Sequence, residues 1–394
     1  MLGRPQLLWA LAAVFGFRVL ILSLLAPDRP DARNALAAGR ALIFDPGQLY
    51  SRAAAELART GFNPLPGQGW LYPPFAALLA APFALLPIHL GVVFLTLADA
   101  VCLLVALWML DRHLRLRGRT RALYWLLAAY FPPLFAELDA GQVGGFLILL
   151  AVLSLVVVER RPRLAGLAIG AAGAIKFYPL LMAPLGGPRR VWLVLSSALS
   201  MILWSGLGLA LIGPRQGLFY VGRVLLPSLG SHLNDCSIDS VRTLWGRGLG
   251  GQAVALPVRG GIELQRLPWS MPLAAQIGSD LSLIAIVIAA VWAARRSRWD
   301  PDYSLGLGLA LGALLPGEVN PYQWLALLPV LLMVAVAAAR HSRWMVLTAL
   351  LVALLGYARQ PCALPFPDLW TLAGVAIYVI VISQHRLFAD RRKT

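Results

Sequence analysis

Apolar runs close to 20 residues long recur along the whole chain, and they limit the folds that this sequence can adopt. A run of about 20 apolar residues forms a helix that spans the hydrocarbon core of a bilayer. Only 13% of the 394 residues are charged, whereas a soluble protein averages about 25%. The pattern predicts an all-α polytopic membrane protein with a single domain over residues 1–394. The runs lie at about 7–26, 72–87, 88–110, 121–138, 141–158, 164–187, 191–212, 271–294, 303–318, 320–339, 344–358 and 367–384.

Arginine-rich loops between these runs indicate how the chain is oriented. The chain has 34 Lys and Arg residues against 18 Asp and Glu, and short basic loops lie at 111–121, 159–163 and 294–298. Because short basic loops mark the cytoplasmic face, the two long polar stretches, 27–71 and 213–270, are expected outside. We expect a bacterial plasma membrane protein. Scattered basic loops do not form the continuous basic face that nucleic acid needs, so no nucleic-acid partner is expected.

Counting these runs predicts about 12 transmembrane helices, with both termini in the cytoplasm. Residues 72–110 must then cross only once, so 72–87 is expected to be re-entrant or to lie at the membrane interface. Residues 164–187 are long enough for two short helices that meet at "KFYP". In the first outer loop, "RNALAAGRALI" and "SRAAAELART" predict interfacial amphipathic helices. Trp70 and Tyr72 are expected at the headgroup level, where aromatic side chains anchor.

Polar residues from distant parts of the chain converge on the outer face of this predicted topology. Side chains that can ionise or donate hydrogen bonds are costly near the hydrocarbon and mark functional sites. Their convergence predicts a single active site that faces outward. The residues are Asp28, Asp31, Glu137, Asp139, Gln142, Lys176, His232, Asn234, Asp235, Asp239, Glu318, Asn320 and Gln323.

Most of these residues also have a structural interpretation. Asp31 precedes an alanine-rich segment and could be its N-cap. Asp139 could be an ordinary loop acid, and the glycines of "GQVGG" could serve only helix packing. Asp99 lies inside an apolar run and is expected to pair with a buried polar partner. Lys176 is harder to explain structurally, because an unpaired ammonium at this depth is costly.

The chemistry that these residues suggest is group transfer from a lipid-linked phosphate. Lys176 is the only lysine before the C-terminal tail, and a cation facing a cavity at lipid level would bind phosphate. A carboxylate outside the membrane could then act as general base on a hydroxyl acceptor.

No cofactor or metal is expected. The sequence has no glycine-rich phosphate loop, zinc-type His/Cys cluster or nucleophile elbow, and no tightly spaced acid pair singles out a cation site. Cys102, Cys236 and Cys362 have no metal or redox spacing. A bridge between Cys236 and Cys362 is left open.

A series of short motifs gives the chain a family resemblance. In order, they are "DARNALAAGRALIFDPGQLY", "LYPPFAALLAAPFALLP", "GQVGGFLILL", "AGLAIGAAGAIKFYPLLMAPL", "NDCSIDSV" and "NPYQWLALLPVLL". The chain resembles the bacterial polytopic glycosyltransferases of the GT-C type, specifically glycosyltransferase family 87. That family includes polyprenyl-phosphate-mannose-dependent α-mannosyltransferases and an arabinofuranosyltransferase.

The resemblance implies roles for particular residues. Asp31 would be the catalytic base, because its distance from the Leu49–Tyr50 pair fits the family register better than that of Asp28 or Asp45. The family's lysine falls on Lys176. The resemblance implies a polyprenyl-phosphate sugar as donor and a cell-envelope glycolipid or polysaccharide as acceptor. The residues expected to bind donor phosphate and substrate are Lys176, Arg33, Asn34, Tyr72, Gln142, Asn234, Asn320, Tyr322 and Gln323.

Two alternatives remain open on the sequence. The chain has Asn234–Asp235–Cys236–Ser237 where family members often have "NQS", and "NPYQW" where many have a histidine or second acid. Mannose is the expected sugar, but arabinofuranosyl transfer is an alternative. A transporter or flippase would also use about 12 helices, although the acids here collect at one face and no inverted repeat is visible.

Overall fold

The computed structural model describes residues 5–25, 29–50, 70–226, 240–249, 255–258, 261–264, 271–316, 319–355 and 369–389. These residues are mostly α-helical. The α-helices are α1 (Pro5–Leu25), α2 (Pro30–Phe44), α3 (Pro74–Ala84), α4 (Ile88–His113), α5 (Gly118–Ala129), α6 (Pro132–Ala140), α7 (Gly144–Val157), α8 (Pro162–Ile175), α9 (Arg190–Phe219), α10 (Val241–Leu249), α11 (Leu273–Arg296), α12 (Pro301–Leu314), α13 (Leu328–Arg340), α14 (Trp344–Leu355), α15 (Leu369–Ser383) and α16 (Arg386–Ala389).

Shorter helical segments join several of these helices. The 3₁₀ segments are Pro46–Gln48, Tyr178–Leu185, Gly187–Arg189 and Pro321–Leu327, and a π-helical turn covers Tyr220–Leu225.

The helical fold agrees with the predicted all-α class, and one short antiparallel sheet is added to it. Strands β1 (Ala255–Val258) and β2 (Gly261–Leu264) pair with Ala255 opposite Leu264. Each strand has four residues, which is too short to show a periodicity that separates strand from helix.

Five helical segments in the described part of the chain are long and apolar enough to cross a membrane: Ile88–His113, Gly187–Leu225, Leu273–Arg296, Pro321–Arg340 and Leu369–Ala389. Their length and composition indicate a membrane-integral protein. Five shorter apolar helices accompany them, and the total of about 12 crossings stays a prediction. Helix α3 has 11 residues and measures about 16 Å, so it cannot cross a core of about 30 Å.

The predicted break at "KFYP" is confirmed. Helix α8 ends at Ile175, Lys176 is extended with φ −142° and ψ 134°, and the 3₁₀ segment begins at Tyr178. Pro179 explains the break, because its ring would clash with the carbonyl of Ile175 and it has no N–H to donate there.

The second polar stretch does not begin as a loop at residue 213. Gly213 has φ 79° and interrupts α9 next to Pro214, but helix continues on the far side to Phe219 and then through the π-helical turn to Leu225. The glycine and proline mark a kink in this helix and not its end, since a helix can continue beyond a proline kink.

Helix α2 is packed against the helical bundle, and its expected place at the membrane surface stays a prediction. Nine of its 15 residues are buried, most of them alanine, and it packs against α3 and α4. Small side chains let helix backbones approach closely inside a membrane protein. The second predicted surface helix, "SRAAAELART", lies outside the described residues.

Two apolar clusters fix the position of the site. The larger one surrounds α12 and α13 and includes the fully buried Trp324. The smaller one joins α2, α3 and the start of α7. Tyr178, two residues after Lys176, packs against both clusters, so the break after α8 is held between them.

Candidate active site

Lys176 lies at the centre of the candidate site. Its Nζ donates a hydrogen bond of 2.8 Å to Gln142 Oε1. The same nitrogen lies 4.8 Å from the ring centroid of Tyr72 and 5.1 Å from that of Tyr322, distances at which aromatic faces attract a cation. Lys176 is 8% exposed. The structure therefore brings together four of the predicted site residues.

The "GQ" element connects this lysine to α2. Gly141 ends α6 in the left-handed conformation with φ 69°, which glycine adopts without steric cost. A Cβ at Gly141 would lie 2.6 Å from the Cβ of Ala32 in the first turn of α2. The next residue, Gln142, donates through Nε2 to the hydroxyl of Tyr72 at 3.1 Å. Tyr72 is thus part of the site, and not only the interfacial anchor that its position suggested.

Asp31 lies in this first turn but is not the N-cap of α2. The N-cap is Arg29, with Pro30 at the first helical position, a position that proline favours. The N-cap interpretation of Asp31 is therefore wrong. The Asp31 carboxylate is half-buried and acts electrostatically on Glu137 and Tyr322, so it belongs to the same site as Lys176.

Two further carboxylates lie beneath the site at the N-terminus of α7. Glu137 accepts a hydrogen bond from the backbone N–H of Gly144, and Asp99 accepts one of 3.2 Å from the N–H of Phe146. Each is 1% exposed, and each acts electrostatically on Lys176. The buried polar partner expected for Asp99 is therefore a helix N-terminus, which stabilises negative charge.

The two acids of "ELD" face opposite sides of α6. Glu137 is buried, whereas Asp139 is exposed. Residues two apart on a helix do not share a face. Glu137 was one of the polar residues that converge on the outer face, but the family motifs gave it no role. The helical spacing from Asp139 was the available signal that only one of the two could point inward.

The remaining predicted residues have different surroundings. Arg33 is buried and Asn34 half-buried in the first turns of α2. Gln323 Oε1 accepts the backbone N–H of Asn320 at 2.6 Å, so this amide oxygen caps the 3₁₀ segment and is not available to a substrate. Asn234 lies outside the described residues.

The Leu49–Tyr50 pair anchors the segment that follows α2, the helix that carries Asp31. Leu49 is fully buried. Tyr50 donates from its hydroxyl to the carbonyl of Tyr72 at 2.9 Å and stacks on Tyr220 at 5.2 Å between centroids. The pair thus ties the segment after α2 to the site and to the turn that follows α9.

The motifs gave no role to Arg29, which is among the largest fully buried side chains described. Its Nη1 donates to Thr96 Oγ1 at 3.0 Å. Burial lowers the pKa of Arg29, and the charge of Asp139 opposes that shift. No sequence signal distinguished it from the other arginines.

No group of three His, Cys, Asp or Glu side chains within the described ranges is arranged to hold a metal ion. Independence from metal stays a prediction.

An apolar groove of about 470 Å³ is lined in part by sequence neighbours of the two buried carboxylates. It lies between α1, α4, α5 and α6, and its lining includes Trp9, Phe17, Leu103, Leu107, Trp125 and Leu138. Leu138 follows Glu137 in α6, and the lining residue Ala100 follows Asp99 in α4. The groove therefore runs along the same two helices, α4 and α6, that carry the buried carboxylates.

Residues 70–319 match the family model of glycosyltransferase family 87. Two relatives are described as polyprenol-phosphate-mannose-dependent alpha-(1-2)-phosphatidylinositol pentamannoside mannosyltransferases. One, from Mycobacterium tuberculosis (strain CDC 1551 / Oshkosh), is 31% identical over 46% of this chain and 42% of its own length. The other, from Mycolicibacterium smegmatis (strain ATCC 700084 / mc(2)155), is 30% identical over 46% of this chain and 43% of its own length.

A third relative matches over more of the chain. It is a polyprenol-phosphate-mannose-dependent alpha-(1-2)-phosphatidylinositol mannoside mannosyltransferase of the same Mycolicibacterium smegmatis strain, 28% identical over 81% of this chain and 72% of its own length. The chain thus spans less than half the length of the first two relatives. No solved structure matches the chain.

Proposed function

The chain belongs to glycosyltransferase family 87, and we propose that it transfers mannose from a polyprenyl-phosphate-mannose donor to a hydroxyl group of a glycolipid. The names of the three relatives support the donor, and they support an acceptor of the phosphatidylinositol-mannoside class. The observation that carries the proposal is that Asp31 shares one site with Lys176, Gln142 and Tyr72.

The site supplies the groups that this transfer needs. Asp31 takes the proton of the acceptor hydroxyl while the hydroxyl oxygen attacks the anomeric carbon of mannose. The bond from that carbon to the phosphate oxygen breaks, and polyprenyl phosphate leaves with the electron pair. Lys176 stabilises the negative charge that develops on the phosphate. The steps that we propose use side chains of the chain and no metal ion.

The groove next to the site suits the lipid part of the donor. Its wall is almost entirely apolar, as a polyprenyl chain requires. Because Leu138 and Ala100 adjoin the two buried carboxylates, a chain lying in the groove would have its phosphate end at the site. We assign the groove to the donor's polyprenyl chain.

The arrangement in the membrane is part of the same proposal. A single domain spans residues 1–394, with 27–71 and 213–270 as outer stretches and with the catalytic Asp31 in the first of them. The protein is a multi-pass plasma membrane protein with its active site on the outer face. The arginine-rich cytoplasmic loops support this orientation.

A transfer assay with the purified protein tests the proposal. Polyprenyl-phosphate-[¹⁴C]mannose and a phosphatidylinositol mannoside are supplied in detergent, and labelled product lipid is measured. Transfer of mannose supports the proposed reaction. Transfer only from polyprenyl-phosphate-arabinose would replace the sugar. Flipping of the labelled donor across vesicle membranes without any product would show that the protein is a transporter and not an enzyme.

A further inference from the structure

Arg29 is a buried cation with two unused hydrogen-bond donors. It is 1% exposed, and its one hydrogen bond from the guanidinium goes to the Thr96 hydroxyl. Its Nε and Nη2 atoms are buried without a hydrogen-bond partner among the residues that the structure describes. A buried charged group is costly unless its donors are satisfied and its charge is balanced. The guanidinium therefore has two hydrogen-bond donors that the described residues leave unsatisfied.

The charge of Arg29 is also poorly balanced compared with that of Lys176. Among the described residues, the carboxylate that acts on Arg29 belongs to Asp139, which is exposed. Lys176, in contrast, lies near two buried carboxylates, Glu137 and Asp99. The described residues thus leave the charge of Arg29 less balanced by buried carboxylates than that of Lys176.

Arg29 lies close to the element that binds Lys176. A Cβ at Gly141 would be 3.1 Å from the Cβ of Arg29, and the next residue, Gln142, binds Lys176. Arg29 is also the N-cap of α2, and the N-terminus of a helix attracts negative charge. The proposed base, Asp31, is two residues further along the same turn. The start of the Arg29 side chain and the ammonium of Lys176 therefore both lie beside the "GQ" element, and the guanidinium of Arg29 extends from there to Thr96.

We infer that Arg29 binds the phosphate of the polyprenyl-phosphate donor through Nε and Nη2, an assignment that rests on the proposed function. These two nitrogens form one edge of the planar guanidinium, which matches a pair of phosphate oxygens. The phosphate gains charge when the mannosyl bond breaks, so Arg29 holds the leaving group as well as the donor. Lys176 acts beside it, with part of its charge already balanced by carboxylates.

Binding of polyprenyl phosphate by the purified protein tests this inference. Thermal stabilisation and affinity are measured with polyprenyl phosphate, with the uncharged polyprenol of equal length, and with phosphatidylinositol. Wild type is expected to prefer the phosphate over the alcohol. Arg29→Gln should reduce that preference about 10- to 100-fold, the range expected for loss of a charged hydrogen bond. Arg29→Lys retains the charge but not the paired N–H groups of the guanidinium. Its preference for the phosphate should lie between those of wild type and Arg29→Gln.

Two control variants separate phosphate binding from a structural role. Thr96→Val removes the hydroxyl that Arg29 contacts but leaves the guanidinium, so it should lower stability while keeping the preference for phosphate. Arg40→Gln removes an exposed arginine of α2 and should change neither the stability nor the preference for phosphate. If Arg29→Gln and Thr96→Val lose only stability, and phosphate is still preferred, Arg29 is structural and the inference is wrong.

The remaining outcomes distinguish this inference from the proposed function. Loss of phosphatidylinositol binding alone in Arg29→Gln would assign Arg29 to the acceptor and overturn the inference. Arg29-dependent binding of polyprenyl phosphate by a wild-type protein that transfers no mannose would support the inference while the proposed reaction fails. Mannose transfer by Arg29→Gln with an unchanged KM for the donor would keep the reaction and overturn the inference. Failure of wild type to bind polyprenyl phosphate would overturn both.

Discussion

Lys176 and Gln142 are 34 positions apart in the chain, yet the lysine Nζ and the glutamine Oε1 are joined by a 2.8 Å hydrogen bond. One residue follows the last turn of α8 and the other precedes α7, so the bond links the ends of two neighbouring helices. The two aromatic rings of Tyr72 and Tyr322 lie against the same ammonium. The lysine is thus held in place before any substrate is bound.

Replacement of Lys176 by methionine should weaken use of the donor while the protein still folds. The variant keeps a linear side chain of similar length but removes the charge that faces the phosphate, and we expect the KM for the donor to rise about 10- to 100-fold. Initial rates at varied donor concentration measure this. Lys393→Met, the same substitution at the chain's other lysine, is the control. An unchanged donor KM in Lys176→Met would rule out the phosphate role.

Glu137→Ala should lower stability more than Asp139→Ala. The first variant leaves the buried N–H of Gly144 without its acceptor, and such a loss costs about 1–3 kcal/mol. The second removes an exposed carboxylate of the same helix and should cost less than about 0.5 kcal/mol. Thermal unfolding in detergent compares the two. Equal unfolding midpoints for both variants would show that the hydrogen bond from Gly144 N–H to Glu137 contributes little to stability.

Short motifs contained the residues that the structure brings together around Lys176, because local chemistry determines where the chain turns at these motifs. Pro179 forces the break after α8, and Gly141 allows the turn before Gln142, so both positions could be inferred from residue type. The burial of Arg29 and Glu137 could not be inferred in this way. Their burial depends on how α2, α4 and α6 pack together, and no pattern within one segment distinguishes a buried arginine from a solvated one.

The unpredicted features have related physical causes. The extent to which α2 is buried was not predicted because arginines interrupt its alanines, but alanine also favours close helix packing, and nine of the 15 residues are buried. Asp31 was a reasonable N-cap by residue type, but the helix begins at Pro30 with Arg29 as its N-cap, two residues earlier than an Asp31 cap would place it. In β1 and β2, four-residue segments were too short for their pattern to be read.

The outer location of the first loop can be tested by labelling single cysteines in intact cells. In a cysteine-free background, Gln48→Cys should react with a membrane-impermeant maleimide, whereas Arg117→Cys and Arg160→Cys should react only after the cells are opened. All three positions are exposed, so access depends on the side of the membrane. The reason is the positive-inside rule. Labelling of Arg160→Cys in intact cells, with Gln48→Cys protected, would invert the proposed topology.

Mannose transfer should continue after treatment with EDTA. In the proposed reaction, Lys176 and Arg29 stabilise the leaving phosphate, so a divalent ion has no step to perform. The rate should stay within about twofold of the untreated enzyme, a change of less than about 0.5 kcal/mol in activation free energy. Activity that EDTA abolishes and magnesium or manganese restores would show that a metal ion takes part.

Asp31→Asn should abolish transfer while donor binding is retained. The amide keeps the shape of the side chain but cannot take a proton, and loss of a general base costs about 10²–10⁴ in rate. Because Arg29 and not Asp31 is the N-cap of α2, the substitution removes no cap from the helix, and the variant should stay folded. The measurements are kcat for mannose transfer and the affinity for polyprenyl phosphate.

Two matched substitutions make the assignment of Asp31 specific. Asp28→Asn and Asp45→Asn remove the other two aspartates of residues 27–71, and both should retain kcat within a few-fold. Asp45 lies at the opposite end of α2 and ends that helix, so it is far along the helix from Lys176 and Gln142. If Asp31→Asn turns over normally and one of the other two variants is inactive, that residue is the base. If all three variants remain active, the proton is taken elsewhere, and Glu137, the buried carboxylate on which Asp31 acts, becomes the next residue to replace.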